Sequence, residues 1–379
     1  MSTPKKIFFA SLIIFLTVLL FWGIYFLSFK KNAGQTTAPS STATGSSIFS
    51  FGLGEKMAAL SDQKMAFPAL SSDGTAINFY SPDAGKISQI GLDGKSGTNI
   101  SNKNWPNLSG LFWSPGKTKA ILKFPGSNGQ PSFSLFDLTE NTEKLLKSNL
   151  DMIVWQNDGK IIYKYYDPKT KERSLNIADP DGSNWKKIAD LEYKNVFIAP
   201  IPKTGFITYW NQGNAQEETT LISVSIVGGE KTTLFKGKFG ADYLWNGNGS
   251  KILMSHSDAK GGTKMELAVL DDKGGNYRGL EIPTFLTKCV WSSDNTTVYY
   301  ALSGNIPDGS VLPDDYLAGK FNTQDTFWKI DTASGKKDRI VDLDKIKGQI
   351  DAKNLFLNND ESSLFFVNKI DGKLYQIKL

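Results

Sequence analysis

Few side chains in this 379-residue chain are equipped for chemistry, and the shortage is itself informative. There is one histidine, His256, and one cysteine, Cys289. A Ser-His-Asp system would have to be built on His256 alone, and no Gly-x-Ser-x-Gly elbow occurs. A single thiol excludes an intrachain disulfide and a thiolate-cluster metal site. Four aspartates, Asp308, Asp314, Asp315 and Asp325, fall within the stretch ALSGNIPDGSVLPDDYLAGKFNTQDTFWKID, residues 301–331. Calcium takes six to eight oxygen ligands, but their spacing matches no calcium loop and reads as a solvated segment. Carboxylates drawn from distant parts of the chain could still pair for glycosidase-type chemistry, which needs only two of them flanking a bond. On this inventory the expectation is a chain without catalysis, cofactor or resident metal.

The elements that must carry these residues repeat. From residue 65 onward an apolar strand, a tight polar turn and further strands recur, with first turns LSSDG (70–74), WSPG (113–116), WQNDG (155–159), IPKTG (201–205), WNGNG (245–249), WSSDN (291–295) and LNNDE (357–361). Asp, Asn and Gly suit turns that need positive φ, and the β-branched and aromatic runs that follow, such as AINFY, IIYKY and VYYAL, suit pleated strands. Aligned at these turns the steps are 42, 43, 46, 44, 46 and 66 residues. Four strands every 40 to 45 residues predict an all-β fold, a seven-bladed β-propeller over residues 48–379. Trp113, Trp155, Trp245 and Trp291 share one phase of the repeat, which predicts packing between blades rather than a cofactor box. The seventh unit reaches only its third strand at Leu379, so KMAALSD (56–62) is expected to supply the missing one and close the ring.

The turns LSSDG and WSSDN, with later turns such as ADPDGSNWKKI (178–188) and LDGKSGTNI (92–100), resemble those of TolB-like propeller repeats, a family similar in shape to WD-type propellers. WSPG, IPKTG and WNGNG depart from that pattern. The resemblance implies a platform that binds proteins or peptides, often outside the cytoplasm.

Ahead of the repeats, residues 7–29 carry no charge and are bracketed by Lys5, Lys6, Lys30 and Lys31. At about 1.5 Å per residue they reach roughly 35 Å, enough for a hydrocarbon core of about 30 Å. A single transmembrane helix that stays uncleaved is expected, because no small-x-small cleavage site follows it. Residues 1–6 then form a short cytoplasmic tail, and residues 30–47, small and polar, a flexible stalk spanning on the order of 20–25 Å. The expected location is the cell membrane, single-pass, with the N-terminus inside and the propeller outside. Those four lysines are all the charges before Glu55, so of the net charge of +5 only +1 belongs to residues 48–379. A nearly neutral domain without a basic stripe makes nucleic acid an unsuitable partner.

The 66-residue step places a long insertion, about residues 303–325, between the second and third strands of blade 6. With strands lettered a to d in each blade, antiparallel pairing puts every b-to-c loop and d-to-a connection at one end of the ring. Loops this long are uncommon unless they are functional or disordered. His256 and Trp210 end strands b of blades 5 and 4, at the same end. Trp210, His256, Asp314, Asp315, Tyr316 and Phe321 are therefore the expected contacts for a protein or peptide partner. The function expected is that of a membrane-anchored binding or envelope-assembly module. The alternative is a hydrolase or lyase acting on extracellular glycan or peptide through loop carboxylates.

Overall fold

The computed structural model describes residues 55–126 and 129–379. The expected cytoplasmic tail, membrane helix and stalk lie outside these residues. Among the described residues no helix is long and apolar enough to cross a membrane.

Seven four-stranded antiparallel sheets form a β-propeller. In blade 1 strands a to d run Ala66–Leu70, Ala76–Ser81, Lys86–Gly91 and Thr98–Asn99, each hydrogen-bonded to the next. Strand a begins at Gly110 in blade 2, Leu150 in blade 3, Val196 in blade 4, Asp242 in blade 5, Cys289 in blade 6 and Ala352 in blade 7. Strands a of neighbouring blades touch one another from blade 1 to blade 4 and from blade 6 through blade 7 to blade 1, so they line the axis.

Blade 7 takes its outer strand from the other end of the chain. Met57–Lys64 pairs antiparallel with Lys373–Lys378, with Met57 opposite Ile377 and Ala58 opposite Gln376. This covers an edge that would otherwise offer unpaired amides to another chain. An apolar cluster then fills every junction between neighbouring blades. At the closing junction Phe365, Val367 and Leu374 of blade 7 pack on Ile77, Phe79 and Ile90 of blade 1. Each such buried side chain contributes roughly 1.5–3 kcal/mol, so the closing junction is held as firmly as the others.

The repeated tryptophans pack as expected and also donate hydrogen bonds across blades. The indole N–H of Trp113 donates to the Phe67 carbonyl at 2.8 Å, that of Trp155 to Phe112 at 2.8 Å and that of Trp291 to Leu244 at 3.2 Å. In each case the acceptor lies on strand a of the preceding blade. Trp245 instead donates to Thr208 Oγ1 at 3.0 Å. Each a-to-b turn places one residue at positive φ. Gly74, Gly159 and Gly249 take it freely, whereas Lys117, Lys203, Asn295 and Glu361 take it with a Cβ in the way.

Candidate functional site

The inserted segment joins strand b of blade 6, Thr297–Gly304, to strand c, Gln324–Asp331. It folds back over its neighbours because its apolar residues have a core of their own to enter. Leu312 and Tyr316 are buried against Met265 of blade 5 and Phe285 of the connection from blade 5 to blade 6, with Ile306 and Phe321 packed around them. The Tyr316 ring stacks on Phe285 at 4.1 Å and lies 5.8 Å from Phe321. Two backbone contacts tie the segment further along the ring. Leu312 N–H donates to the Gly262 carbonyl at 3.0 Å, and Asp314 Oδ1 accepts from Ala215 N–H, in the b-to-c loop of blade 4, at 3.0 Å. Residues Asp314–Leu317 make one helical turn. Asp315 closes it, accepting from Val311 N–H at 2.8 Å and pairing with Lys320 at 2.6 Å.

By reaching blade 4 the insertion makes one wall of a cleft of about 460 Å³. Asp314 and Leu317 stand on that wall, and Tyr193, Asn195, Gln212 and Asn214 stand opposite, on the d-to-a connection and b-to-c loop of blade 4. Leu317 is 60% exposed although it is a large apolar side chain. Glu217 also lines the cleft.

Beneath the insertion lies a charged group that the sequence reading did not single out. Lys288, just before strand a of blade 6, is wholly buried, and its ammonium donates to Asp325 Oδ2 at 2.6 Å, Asp351 Oδ1 at 2.6 Å and Thr323 Oγ1 at 2.9 Å. The Tyr316 hydroxyl donates to the same Asp351 oxygen at 2.7 Å, so the insertion is bolted to this group. Burial pushes the Asp325 carboxyl up, and Lys288 only partly offsets it. Burial also works to raise Asp351, but the charge and hydrogen bond of Lys288 and the hydroxyls of Tyr316 and Thr323 outweigh it and hold that carboxyl low. Burial and the hydrogen bond to Asp351 raise the Tyr316 phenol.

The six residues expected to meet a partner divide into inward and outward groups. His256 is fully buried, with Nδ1 2.7 Å from the Ser257 carbonyl and Nε2 3.0 Å from the Tyr277 hydroxyl. Burial lowers its pKa, with Lys238 adding to the effect, so the imidazole braces its loop as a neutral ring. Tyr316 and Trp210 are likewise buried, and Trp210 meets Tyr243 edge to face at 5.4 Å. Phe321 is half-buried against Tyr316. Asp314 lines the cleft, while Asp315 stays with Lys320. The four aspartates weighed for calcium do not converge, since Asp325 is held by Lys288 and Asp315 by Lys320. Among the described residues no three His, Cys, Asp or Glu side chains are grouped to hold a metal ion.

Asp242, at the start of strand a in blade 5, is a further perturbed carboxyl near this face. Burial raises its pKa from 3.8 to about 6, against the pull of the Tyr243 N–H and the Trp210 indole. Asp242 and Lys288 share one repeat position, three residues before the end of strand a, where the other blades carry Phe67, Gly110, Met152, Phe197 and Asn354. Two charges at a phase otherwise uncharged were the signal available in the sequence.

The chain matches no protein-family model, and no curated protein matches it. Solved structures do resemble it. Oligogalacturonate lyase from Vibrio parahaemolyticus superposes with a TM-score of 0.60 at 12% identity, covering 85% of this chain and 93% of that one. The β-propeller domain of the trilobed protease from Pyrococcus furiosus, which has an open velcro topology, gives 0.56 at 14% identity over 83% and 95%. TolB from Acinetobacter baumannii gives 0.47 at 14% identity over 73% and 62%. At such identities the likeness is one of fold. It nevertheless corrects the expectation of a chain without catalysis, because a lyase is built on this architecture along almost its whole length. Scarcity of motifs was a poor guide here, since active residues on a propeller can come from separate blades.

Proposed function

We propose that this chain is a membrane-tethered, extracytoplasmic propeller that binds a protein or peptide partner in the cleft between its insertion and blade 4. The observation carrying this reading is the cleft itself: the longest loop of the fold is spent on making an ordered wall. Asn195, Gln212 and Asn214 offer amide donors and acceptors suited to a peptide backbone, and Leu317 and Tyr193 offer apolar surface for anchoring side chains. The apolar run 7–29 and the polar stalk 30–47 support the tether and the outside location. Replacing exposed Leu317 by Asp in the full chain leaves the buried face of the insertion intact. Capture of the partner is expected to drop at least about tenfold, as for loss of a small hot spot. Capture equal to wild type would sink this site.

A second reading is favoured by one observation. A carboxyl titrating near 6, as Asp242 does, is tuned for general acid or base work on a glycan or peptide. Glu217 and Asp314 in the nearby cleft could take further roles. Turnover on a panel that includes oligogalacturonate, abolished by Asp242→Asn, supports catalysis; turnover that survives the substitution removes Asp242 from it.

A further inference from the structure

The two walls of the cleft meet on one short segment, Gly240 to Asp242, which leads from strand d of blade 4 into strand a of blade 5. A Cβ on Gly240 would fall 2.4 Å from Cδ of Pro313, at the root of the helical turn that carries Asp314 and Leu317. A Cβ on Gly213, which lines the blade 4 wall, would fall 2.8 Å from Ala241 N. Ala241 N–H also donates to Thr219 Oγ1 of blade 4 at 3.1 Å, a buried bond. Neither glycine has room for a side chain, so the segment is packed against both walls and moves with them.

Asp242 ends this segment. Its carboxyl is buried and accepts from Tyr243 N–H at 3.0 Å, although the residue as a whole keeps some exposed surface. On strand b of blade 4, Trp210 buries an indole N–H that makes no hydrogen bond of normal geometry and lies within reach of this carboxyl. Ser255 stands opposite Asp242 on strand b of blade 5, its hydroxyl oxygen accepting from Leu286 N–H at 3.3 Å. The ionisable groups on the surrounding elements are engaged elsewhere: Lys288 with Asp325 and Asp351, Asp314 with Ala215 N–H, and His256 with Tyr277 and Ser257. Tyr243, next in the strand, is a phenol pushed up by burial and by the Asp242 charge. Above a pH of about 6 the carboxyl ionises in this setting, and a buried carboxylate with no cation beside it is costly. Turning it out to water relieves that cost and draws Ala241 and Gly240 along.

We propose that protonation of Asp242 regulates the cleft: with the proton bound both walls close on the segment, and without it the side chain turns out to water and the walls part. This regulation rests on the cleft being the binding site, yet the movement is measured without a partner. Spin labels on Leu317→Cys and Gln212→Cys, one on each wall, report the width in the full chain in detergent by pulsed electron resonance. From about pH 5 to about pH 7.5 the separation is expected to grow by roughly 2 Å or more, the scale of a loop rearrangement, with a midpoint at about 6. Asp242→Asn is expected to keep the narrow width at every pH. Trp210→Phe, which removes an N–H that favours the ionised form, is expected to move the midpoint upward. A label pair at positions 158 and 203, on a-to-b turns, is expected to keep its separation throughout. No change with pH between positions 317 and 212, the same change in Asp242→Asn, or a parallel change at the control pair overturns the proposal. Undiminished capture of a partner by Leu317→Asp would sink the binding site and leave the pH-dependent width standing, so the two fail separately.

Discussion

Lys288 is the residue on which most of the insertion's geometry converges. Its ammonium bridges the buried Asp325 and Asp351, Lys369 lies 3.7 Å from the other Asp351 oxygen, and Asp351 in turn holds Tyr316. Replacing it by Met removes the cation and leaves two buried carboxyls facing each other. A loss of about 3–5 kcal/mol is expected in denaturant unfolding, whereas Tyr316→Phe is expected to cost only about 1 kcal/mol. The group was invisible along the chain because Asp325 and Asp351 stand 37 and 63 residues from Lys288, one in strand c of blade 6 and the other just before strand a of blade 7. Asp242 gives a pH test. Between about pH 4 and 6 the folded chain retains a proton that the unfolded chain has released, so Asp242 lowers stability progressively as pH rises through that window. Asp242→Asn should therefore gain stability over wild type between pH 4 and pH 7, by roughly 1–3 kcal/mol. A difference that does not change with pH would show that the carboxyl is not held near 6.

At the level of elements, turns and strands were readable because each obeys a local rule repeated seven times. The strand KMAALSD was expected to complete blade 7, and Met57–Lys64 does so. Cysteines placed at Ala58 and Gln376, which face each other across this seam, should form a disulfide spontaneously on oxidation and raise the thermal midpoint. Absence of the crosslink would mean that the ring is not closed in this register. The insertion was harder to read. Its length marked it, but its fold depends on Met265 and Phe285, which no local pattern connects to Leu312 and Tyr316. For the same reason His256 and Tyr316 drew attention as polar aromatics at a strand end and in a loop, while tertiary packing turned both inward. Sequence position located the correct end of a strand without locating the direction of the side chain.

For the molecule as a whole, a nearly neutral ring with one elaborated end argues for recognition by shape and hydrogen bonding rather than by bulk charge. The opposite end carries the short a-to-b turns, and Asp158 stands there on a smaller pocket of about 260 Å³ between the turns of blades 2 and 3. The insertion-bearing end is expected to be where the molecule is engaged in its native setting. Site-specific photocrosslinking from position 317 and, in parallel, from position 158 of the full chain in intact cells measures this directly. The expected result is a discrete adduct from position 317 that position 158 does not give. The same adducts from both positions, or an adduct from position 158 alone, would contradict it.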